Sequence, residues 1–540
     1  MTERLAGIQV QEEAGPGQSI GESPTAITAF VGRCLRGPVN RPVAVSGFNE
    51  FQRIFGGLWQ PSTLSYAVEQ YFENGGRAAI VVRVDNGARC CTIELAAGVQ
   101  RLVLEALAPG TREFLRAAVD YDGIGENEED CFNLVIQRVR TPGSEHIEDQ
   151  EIYRRVSVSP DSPRFVETVL ADSQLARIAG EVPRIRPDPT PRHDPRGIAG
   201  YVFSGSDADD GAPLTDYDII GSAARRTGIF ALDAVDGFNL LCIPPLARDV
   251  DVGASTLLVA NRYCRERRAL LFVDPPRAWD SAAKALAEMK HWPLPSDSAC
   301  MFFPRLLGYD KLRGRFEAFA PSGAVAGALS RASEHWPVWT SACGEEAIVR
   351  PGLKLSCAVD DEQRGRLAAA GVNTVQTVRR PGRDVPRTAT LAGPGAGAAD
   401  WRSLAARRLA LLVVNSIERG TRWVMFEPNE PATWRRAEAQ LRDFLATLEA
   451  RGAFADRASG DRWFAVCDER INRERQREQG IVSLLFGIPG YGQGRFHAWL
   501  VSHRAGGSRV QTVSPNLAGL PDSGLTQVLA ELEVPAAGIF

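Results

Sequence analysis

Lysine is scarce in this sequence of 540 residues. It occurs only at positions 284, 290, 311 and 354, although lysine and arginine together number 62. A GC-rich genome would explain this bias, and so would a need for guanidinium groups in interface ion pairs; the two explanations are compatible. The formal net charge of −4 gives no overall attraction to nucleic acid or to an anionic membrane.

Residue patterns typical of active sites and metal centres are also missing. The ten cysteines include no CxxC pair, and the six histidines have no spacing suited to a metal. The sequence contains no GxSxG, P-loop or HExxH motif. We therefore expect no catalytic residue, no metal and no cofactor. We expect the cysteines to be buried free thiols in a protein that folds in a reducing cytoplasm.

Long apolar runs are absent as well. No run approaches about 18 residues, the length at which a helix would cross a bilayer. The N-terminus lacks the basic region and apolar region of a secretory signal. We expect no membrane insertion, and release from a cell by another route such as lysis.

The length predicts about three or four structural units. We predict an N-terminal arm at 1–22, because this segment holds too few apolar residues for a core. Residues 23–90 and 200–392 are predicted to form a discontinuous α/β domain, interrupted by a mainly β insertion at 91–199. A further domain is predicted at 393–505, followed by a tail at 506–540. The fold class is thus α/β and α+β, in several domains.

Local patterns predict individual elements. Apolar residues at helical spacing predict a helix that Pro61 opens and Asn74-Gly75-Gly76 ends. Continuous apolar runs predict buried strands in the α/β domain. The remaining predicted elements are listed by type: strands at Thr25–Val31, Ala78–Val84, Thr92–Leu95, Leu102–Leu107, Phe132–Arg138, Tyr153–Val158, Phe238–Ile243, Ala269–Val273, Trp423–Phe426, Trp463–Val466, Ile481–Phe486 and Phe496–Val501; helices at Ser403–Glu418 and from Pro431 onward.

Three segments could carry chemistry but favour simpler interpretations. The glycine-rich stretch Gly487–Gly494 lies between two predicted strands, whereas a phosphate cradle needs a following helix, so we predict a hairpin loop. The acidic stretch Asp207–Gly211 does not fit the EF-hand spacing, which favours a solvated turn over a calcium site. Asp274-Pro275-Pro276 follows a strand, where enzymes of this class place acids, but a rigid strand exit is the favoured interpretation.

Several segments, in order from about residue 25 to 500, resemble the sheath proteins of contractile phage tails and extracellular contractile injection systems. They are Ala29–Arg33 with Arg36–Asn40, Phe48–Gly57 and Leu64–Val84; "SGSDADDGAPLTDYDIIG" at 204–221 with "TGIFALDAVDGFNLLCIPP" at 227–245; "RRALLFVDPP" at 267–276; "PSGAVAG" at 321–327; and "RRLALLVVNSIERGTRWVMFEPNEPATW" at 407–434. The N-terminal segment Ala6–Glu13 is only similar to the family's arm, and 376–392 matches poorly.

The resemblance implies an architecture and a role. It implies α/β sheath domains, an inserted protruding β domain, a C-terminal domain next to an inner tube, and terminal arms that add strands to neighbouring subunits. It implies subunits that stack as hexameric rings around the tube and contract without nucleotide hydrolysis, which drives the tube through a target envelope. The implied partners are the chain itself, the inner tube protein, and baseplate and terminal cap proteins. Assembly is expected in the bacterial cytoplasm, as part of a virion tail or tail-like particle.

Two sets of residues are predicted to make these contacts. Ile8 and Val10 alternate with polar neighbours and are predicted to form the strand-donating arm. Arg408, Asn415 and Arg419 fall on one face of a predicted helix and are predicted to contact the inner tube; a solvated helix face is the alternative.

Three other functions stay open from the sequence. The chain could be a non-contracting, terminal or baseplate component with the same fold. It could be an oligomeric α/β enzyme, which would need clustered acids or histidines. It could also be a self-associating shell or surface-layer protein, which would need no tube.

Overall fold

The computed structural model describes residues 19–191, 200–340, 347–377, 388–393, 401–455, 463–490 and 496–513. They divide into two compact units. The central unit comprises the described residues of 26–335 and 342–391. The C-terminal unit comprises those of 1–25, 336–341 and 392–540.

The strands and helices of the described residues follow in chain order. The strands are β1 (Thr28–Gly32), β2 (Val43–Val45), β3 (Ala79–Arg83), β4 (Thr92–Ala97), β5 (Gln100–Ala106), β6 (Leu115–Asp120), β7 (Cys131–Val139), β8 (Ile147–Ser157), β9 (Ala176–Ile178), β10 (Val202–Phe203), β11 (Leu240–Cys242), β12 (Leu270–Val273), β13 (Ala299–Phe303), β14 (Leu306–Asp310), β15 (Arg315–Phe319), β16 (Lys354–Leu355), β17 (Val372–Thr374), β18 (Phe464–Val466), β19 (Val482–Pro489), β20 (Phe496–Arg504) and β21 (Gly507–Val513). The α-helices are α1 (Phe48–Phe55), α2 (Thr63–Glu73), α3 (Val166–Leu170), α4 (Asp216–Ile220), α5 (Ala254–Arg267), α6 (Ala282–Met289), α7 (Ser322–His335), α8 (Asp361–Ala369), α9 (Leu404–Gly420), α10 (Pro431–Ala450) and α11 (Glu474–Glu478). Gly228–Ala234 and Arg422–Phe426 are 3-10 helices.

The central unit is built on a seven-stranded sheet in the order β17-β13-β12-β11-β1-β3-β2. Its pairs are parallel from β17 through to β3, and β2 runs antiparallel to β3. Its longer strands are buried throughout their length, as expected when helices cover both faces of a parallel sheet. This explains why continuous apolar runs predicted β1, β3, β11 and β12.

One face of this sheet is covered by two helices in very close contact, α2 and α7. The "PSGAVAG" segment supplies the reason, because its glycines lie against the backbone of α2. A Cβ added at Gly323 would lie 2.2 Å from the carbonyl oxygen of Ala67, and one at Gly327 would lie 2.2 Å from that of Tyr71. Both distances are far inside van der Waals contact, so only glycine lets the helices approach this closely.

The segment from Thr92 to Phe203 is mainly β. It forms a three-stranded sheet, β4-β5-β9, and a four-stranded sheet, β10-β6-β7-β8, both antiparallel. A core that includes Ile93, Leu104 and Phe132 lies within these sheets. The segment therefore has a hydrophobic core of its own.

The C-terminal unit places α9 and α10 against an antiparallel sheet in the order β18-β19-β20-β21. Ser403 caps α9 by accepting a hydrogen bond from the Ala406 amide. Pro431 occupies the first turn of α10, as the sequence predicts. Strands β19 and β20 form the hairpin predicted around the glycine-rich stretch. The first residues of that stretch belong to β19, which continues to Pro489.

Two predictions for this unit were wrong. The predicted strand Trp423–Phe426 is part of the 3-10 helix, because Thr421 carries the turn onward from α9: its hydroxyl donates to Ile417, and its carbonyl accepts from the Val424 amide. The predicted tail beginning at Gly506-Gly507 instead opens with β21, because Gly507, at φ 123°, completes a tight turn from β20.

We predict that Gly327→Ala lowers the free energy of unfolding by about 1–3 kcal/mol, the usual cost of overpacking. The matched control is Gly365→Ala, also inside a helix, where an added Cβ meets no atom within 4 Å. That control should be neutral or stabilising by up to about 1 kcal/mol. Denaturant unfolding of both variants checks this, and equal effects would contradict the close contact.

Candidate assembly surfaces

Among the described strands, β21 is an edge of the C-terminal sheet. β21 pairs with β20 along its whole length, from Ala498↔Val513 to Arg504↔Gly507. Among the described residues, no strand pairs with the outer side of β21. An edge of this kind presents unpaired backbone N–H and C=O groups, which a strand from another molecule can satisfy.

Residues 19–25 are attached to the helical side of the same unit. Ile20 is buried in the core and lies against Gly420 at the end of α9. The Ser23 amide donates to the Ser416 hydroxyl at 2.8 Å, and Glu22 forms an ion pair with Arg451. The chain that precedes Ser19 therefore starts from a fixed point on this unit. The predicted strand-donating residues, Ile8 and Val10, lie outside the described residues.

The three residues predicted to contact a tube lie on α9 but differ in exposure. Arg408 is buried, and its guanidinium lies 3.4 Å from the carbonyl oxygen of Thr25. Asn415 is half-buried, and Arg419 is exposed. Of the three, Arg419 is thus the side chain that this unit presents to solvent. The tube contact stays a prediction.

A buried histidine that the sequence analysis missed connects α9 to β21. His503 is fully buried, and its two ring nitrogens lie 2.8 Å from the Thr421 hydroxyl and 2.7 Å from the Ser508 hydroxyl. Burial lowers the pKa of His503 to about 4; Glu418 opposes this shift and Arg422 adds to it. The imidazole is therefore neutral at pH 7. No local pattern marks this residue, because Thr421 and Ser508 approach it only in the folded sheet.

Carboxylates of the acidic stretch Asp207–Gly211 accept hydrogen bonds from neighbouring segments. Asp207 accepts from the Thr92 hydroxyl at 2.9 Å, and Asp210 accepts from the Thr111 amide and hydroxyl at 2.8 and 2.9 Å. Across the described ranges, no group of three or more His, Cys, Asp or Glu side chains could hold a metal ion. The carboxylates therefore join the ends of the inserted β segment to its sheets.

Asp274 is a half-buried carboxylate that caps a helix. Its two oxygens accept hydrogen bonds from the Ser322 amide at 2.9 Å and the Ser322 hydroxyl at 2.8 Å, at the first residue of α7. Burial raises the pKa of Asp274 to about 6. A shifted carboxylate is often catalytic, but both oxygens of this one are engaged in fixing α7.

The described cysteines are not joined in disulfides, and many are buried. Burial raises the pKa of Cys34 and of Cys467 to about 12, and that of Cys91 to about 11. Thiols with such pKa values carry almost no thiolate at neutral pH and are poor nucleophiles. They fill the core as small apolar side chains.

The described helices include none that is both long enough and apolar enough to cross a membrane. Neither a family model nor a curated protein matches the chain. Solved structures do match, over nearly the whole length, and they define a class of fold: the sheath of contractile tails. The resemblance found in the sequence is thus confirmed at the level of the fold.

Two matches show this. The crystal structure of the sheath tail protein Lin1278 from Listeria innocua aligns with a TM-score of 0.59 and 11% identity, covering 90% of this chain and 96% of that one. The sheath complex of an extracellular contractile injection system, PVC, in its contracted state aligns with a TM-score of 0.51 and 15% identity, covering 91% and 95%. This chain therefore has the sheath fold.

We predict that acid weakens the C-terminal unit through His503. The pKa of His503 in the folded protein lies below the ordinary value of 6.5. The contribution of His503 to the free energy of unfolding is therefore complete above pH 6.5. This contribution is lost as the pH falls towards 4, by about 3 kcal/mol in total. His503→Gln should remove this dependence. Hydrogen exchange of residues 496–513, corrected for intrinsic rates, measures it.

Asp274 provides the internal control, because its pKa is shifted the other way. Its folded pKa of about 6 exceeds the ordinary value of 3.8, so its contribution grows as pH falls from 6 towards 4. As the pH falls from 6 towards 4, hydrogen exchange at the start of α7 should therefore become slower in the wild type than in the Asp274→Asn variant. Equal acid sensitivity in wild type and His503→Gln would contradict the assignment to His503.

Proposed function

We propose that this chain is a structural sheath subunit and not an enzyme. It polymerises as stacked hexameric rings around an inner tube, then contracts to drive the tube through a target envelope. The observation that carries this proposal is the sheath fold, which covers about nine-tenths of the chain in both alignments. The contracted assembly among these structures supports a role for the same fold in a contracting lattice.

The mechanism we propose is mechanical. Terminal arms, including Ile8 and Val10, add strands to sheets of neighbouring subunits and keep them linked while each body rotates. The open side of β21 and the fixed starting point at Ile20 and Ser23 support such a link. The energy comes from the difference between two packings of the same lattice, released as a wave from the baseplate.

The remaining parts of the proposal concern partners and place. The inner tube protein, baseplate proteins and a terminal cap are the proposed partners, besides further copies of the chain. Assembly takes place in the bacterial cytoplasm, and the particle leaves by lysis. The second candidate, a terminal or baseplate component that does not contract, is compatible with the same fold and differs in lattice behaviour.

Electron microscopy of the full chain, alone and with its tube partner, tests the proposal. We expect hollow cylinders of two lengths, extended with the tube and shorter and wider after triggering. Removal of residues 1–18 should abolish cylinders and leave the melting temperature unchanged, because the described residues retain their core. Cylinders of a single length would favour the second candidate, and discrete particles under all conditions would refute a sheath role.

The predicted tube contact is tested most directly at Arg419, the exposed member of its set. Arg419→Glu should reduce co-sedimentation with the tube by up to about fivefold per contact, as expected for an exposed charge pair. The control is Arg435→Glu, an exposed arginine on α10 with the same charge change. Equal co-sedimentation of the two variants would remove Arg419 from the tube surface.

A further inference from the structure

The four-stranded sheet β10-β6-β7-β8 has different surroundings at its two ends. At one end, Phe114 precedes β6, Arg140 follows β7 and Ile147 begins β8, and all three line a groove with a volume of about 630 Å³. At the other end, the loop 121–130 joins β6 to β7. The nine residues of β7 hold this loop and the groove about 27 Å apart.

Basic side chains dominate the groove. They are Arg36, Arg53, Arg112, Arg140 and His146. The one acid in the described lining, Glu148, forms an ion pair with Arg36 at 2.7 Å. Arg112 and Arg140 are exposed, and their side chains form no hydrogen bond or ion pair within the part of the chain that the structure describes. These two guanidinium groups are therefore available to an anionic partner.

The loop at the far end of the sheet is acidic. Residues 121–130 contain five acids and no basic residue. One of the acids, Glu128, forms an ion pair with Arg155 at 2.6 Å. Glu126 and Glu129 are exposed, and no described residue forms a hydrogen bond or an ion pair with either carboxylate. The loop thus presents two free carboxylates, and the groove presents two free guanidinium groups.

The loop is fixed to its own end of the sheet. The side-chain amide of Asn133 donates to the Asp120 carboxylate at 2.7 Å. The Arg186 guanidinium donates to the carbonyl oxygens of Glu128 and Cys131 at 3.1 and 3.0 Å. An ion pair requires an N···O distance of about 4 Å or less. Because β7 is hydrogen-bonded on both sides, it cannot shorten to bring the loop to the groove of the same chain.

The groove also has apolar walls, which favour a protein partner over a small inorganic anion. Trp59 and Phe114 are half-buried there, and Ile147 is exposed. A hydrated anion would leave these side chains uncovered. The loop 121–130 carries the half-buried Ile124 two residues before Glu126, so it offers an apolar contact beside its carboxylates.

We propose that Glu126 and Glu129 of one copy of the chain bind Arg112 and Arg140 of a second copy. The loop and the groove are different surfaces, so the contact is head-to-tail and repeats from copy to copy, which produces a closed ring or an open helix. The proposal rests on the proposed sheath function and adds a contact that involves neither terminal arm. Since the charged groups are exposed, the contact weakens as ionic strength rises.

Charge reversal in the full chain tests the pairing. Arg112→Glu with Arg140→Glu, and separately Glu126→Arg with Glu129→Arg, should each raise the concentration at which polymer first pellets by at least about tenfold at low salt. All four substitutions together should restore the original concentration, because each pair again joins opposite charges.

Two matched controls make the same changes of charge elsewhere. Arg225→Glu with Arg265→Glu reverses two exposed arginines of the central unit, and Asp172→Arg with Glu181→Arg reverses two exposed acids between α3 and β10. Both controls should pellet like the wild type. Circular dichroism melting verifies that each variant is folded.

Mixing distinguishes a contact between molecules from one within a molecule. The groove-reversed and loop-reversed chains, each impaired alone, should assemble together, because every loop then finds a groove of opposite charge on the other chain. Unchanged assembly of either reversed chain, or absence of rescue both in the mixture and in the fourfold variant, would overturn the proposal.

A second readout does not depend on cylinders. p-Benzoylphenylalanine in place of Asn127, an exposed residue of the loop, should crosslink upon irradiation to residues 49–59, 112–114 or 140–148 of another molecule. Isotope labelling of one of two mixed preparations, followed by mass spectrometry, identifies such crosslinks. If they form without cylinders, the loop contact stands and the sheath role fails. If cylinders form and the crosslinks are absent or lead to another surface, the loop contact is overturned and the sheath role stands.

Discussion

The central unit depends on the position of one strand. β1 is hydrogen-bonded in parallel to β3 on one side and to β11 on the other, with Thr28 opposite both Ala79 and Leu240. All of the chain between β3 and β11 must therefore leave this sheet and return beside its starting point. An insertion with a separate core meets that requirement. Because such a segment folds with its two ends close together, joining β3 to β11 through it costs the central sheet little loop-closure entropy.

The two units combine different kinds of contact. In the central unit, α7 is fixed by the close packing of Gly323 and Gly327 against α2 and by the half-buried Asp274 at its first turn. In the C-terminal unit, an edge strand and exposed arginines face solvent. Buried packing has few alternatives and resists deformation, whereas exposed charged contacts exchange at low cost. The sheath subunit that we propose would need both, because it would keep its own fold while it changes neighbours.

Much of the fold followed from local patterns. Continuous apolar runs located β1, β3, β11 and β12, because strands of a covered parallel sheet are buried on both faces. Pro431 marked the start of α10. Prediction failed where a neighbouring element decided the outcome: Trp423–Phe426 is apolar enough for a strand but is held in a helical turn by Thr421. Strands β14 to β17 were missed because none of them is a continuous apolar run like β11 or β12.

The sequence by itself predicted the class of fold that the solved structures confirm, because motif order and apolar periodicity are properties of the chain read locally. It could not determine which charged groups meet. Arg408 shares a helical face with Arg419 in sequence, yet the segment at Thr25 covers it in the fold. Arg473 and Arg509 are distant in sequence but line one groove. Burial and charge convergence arise from pairing between distant strands, and only the tertiary structure fixes that pairing.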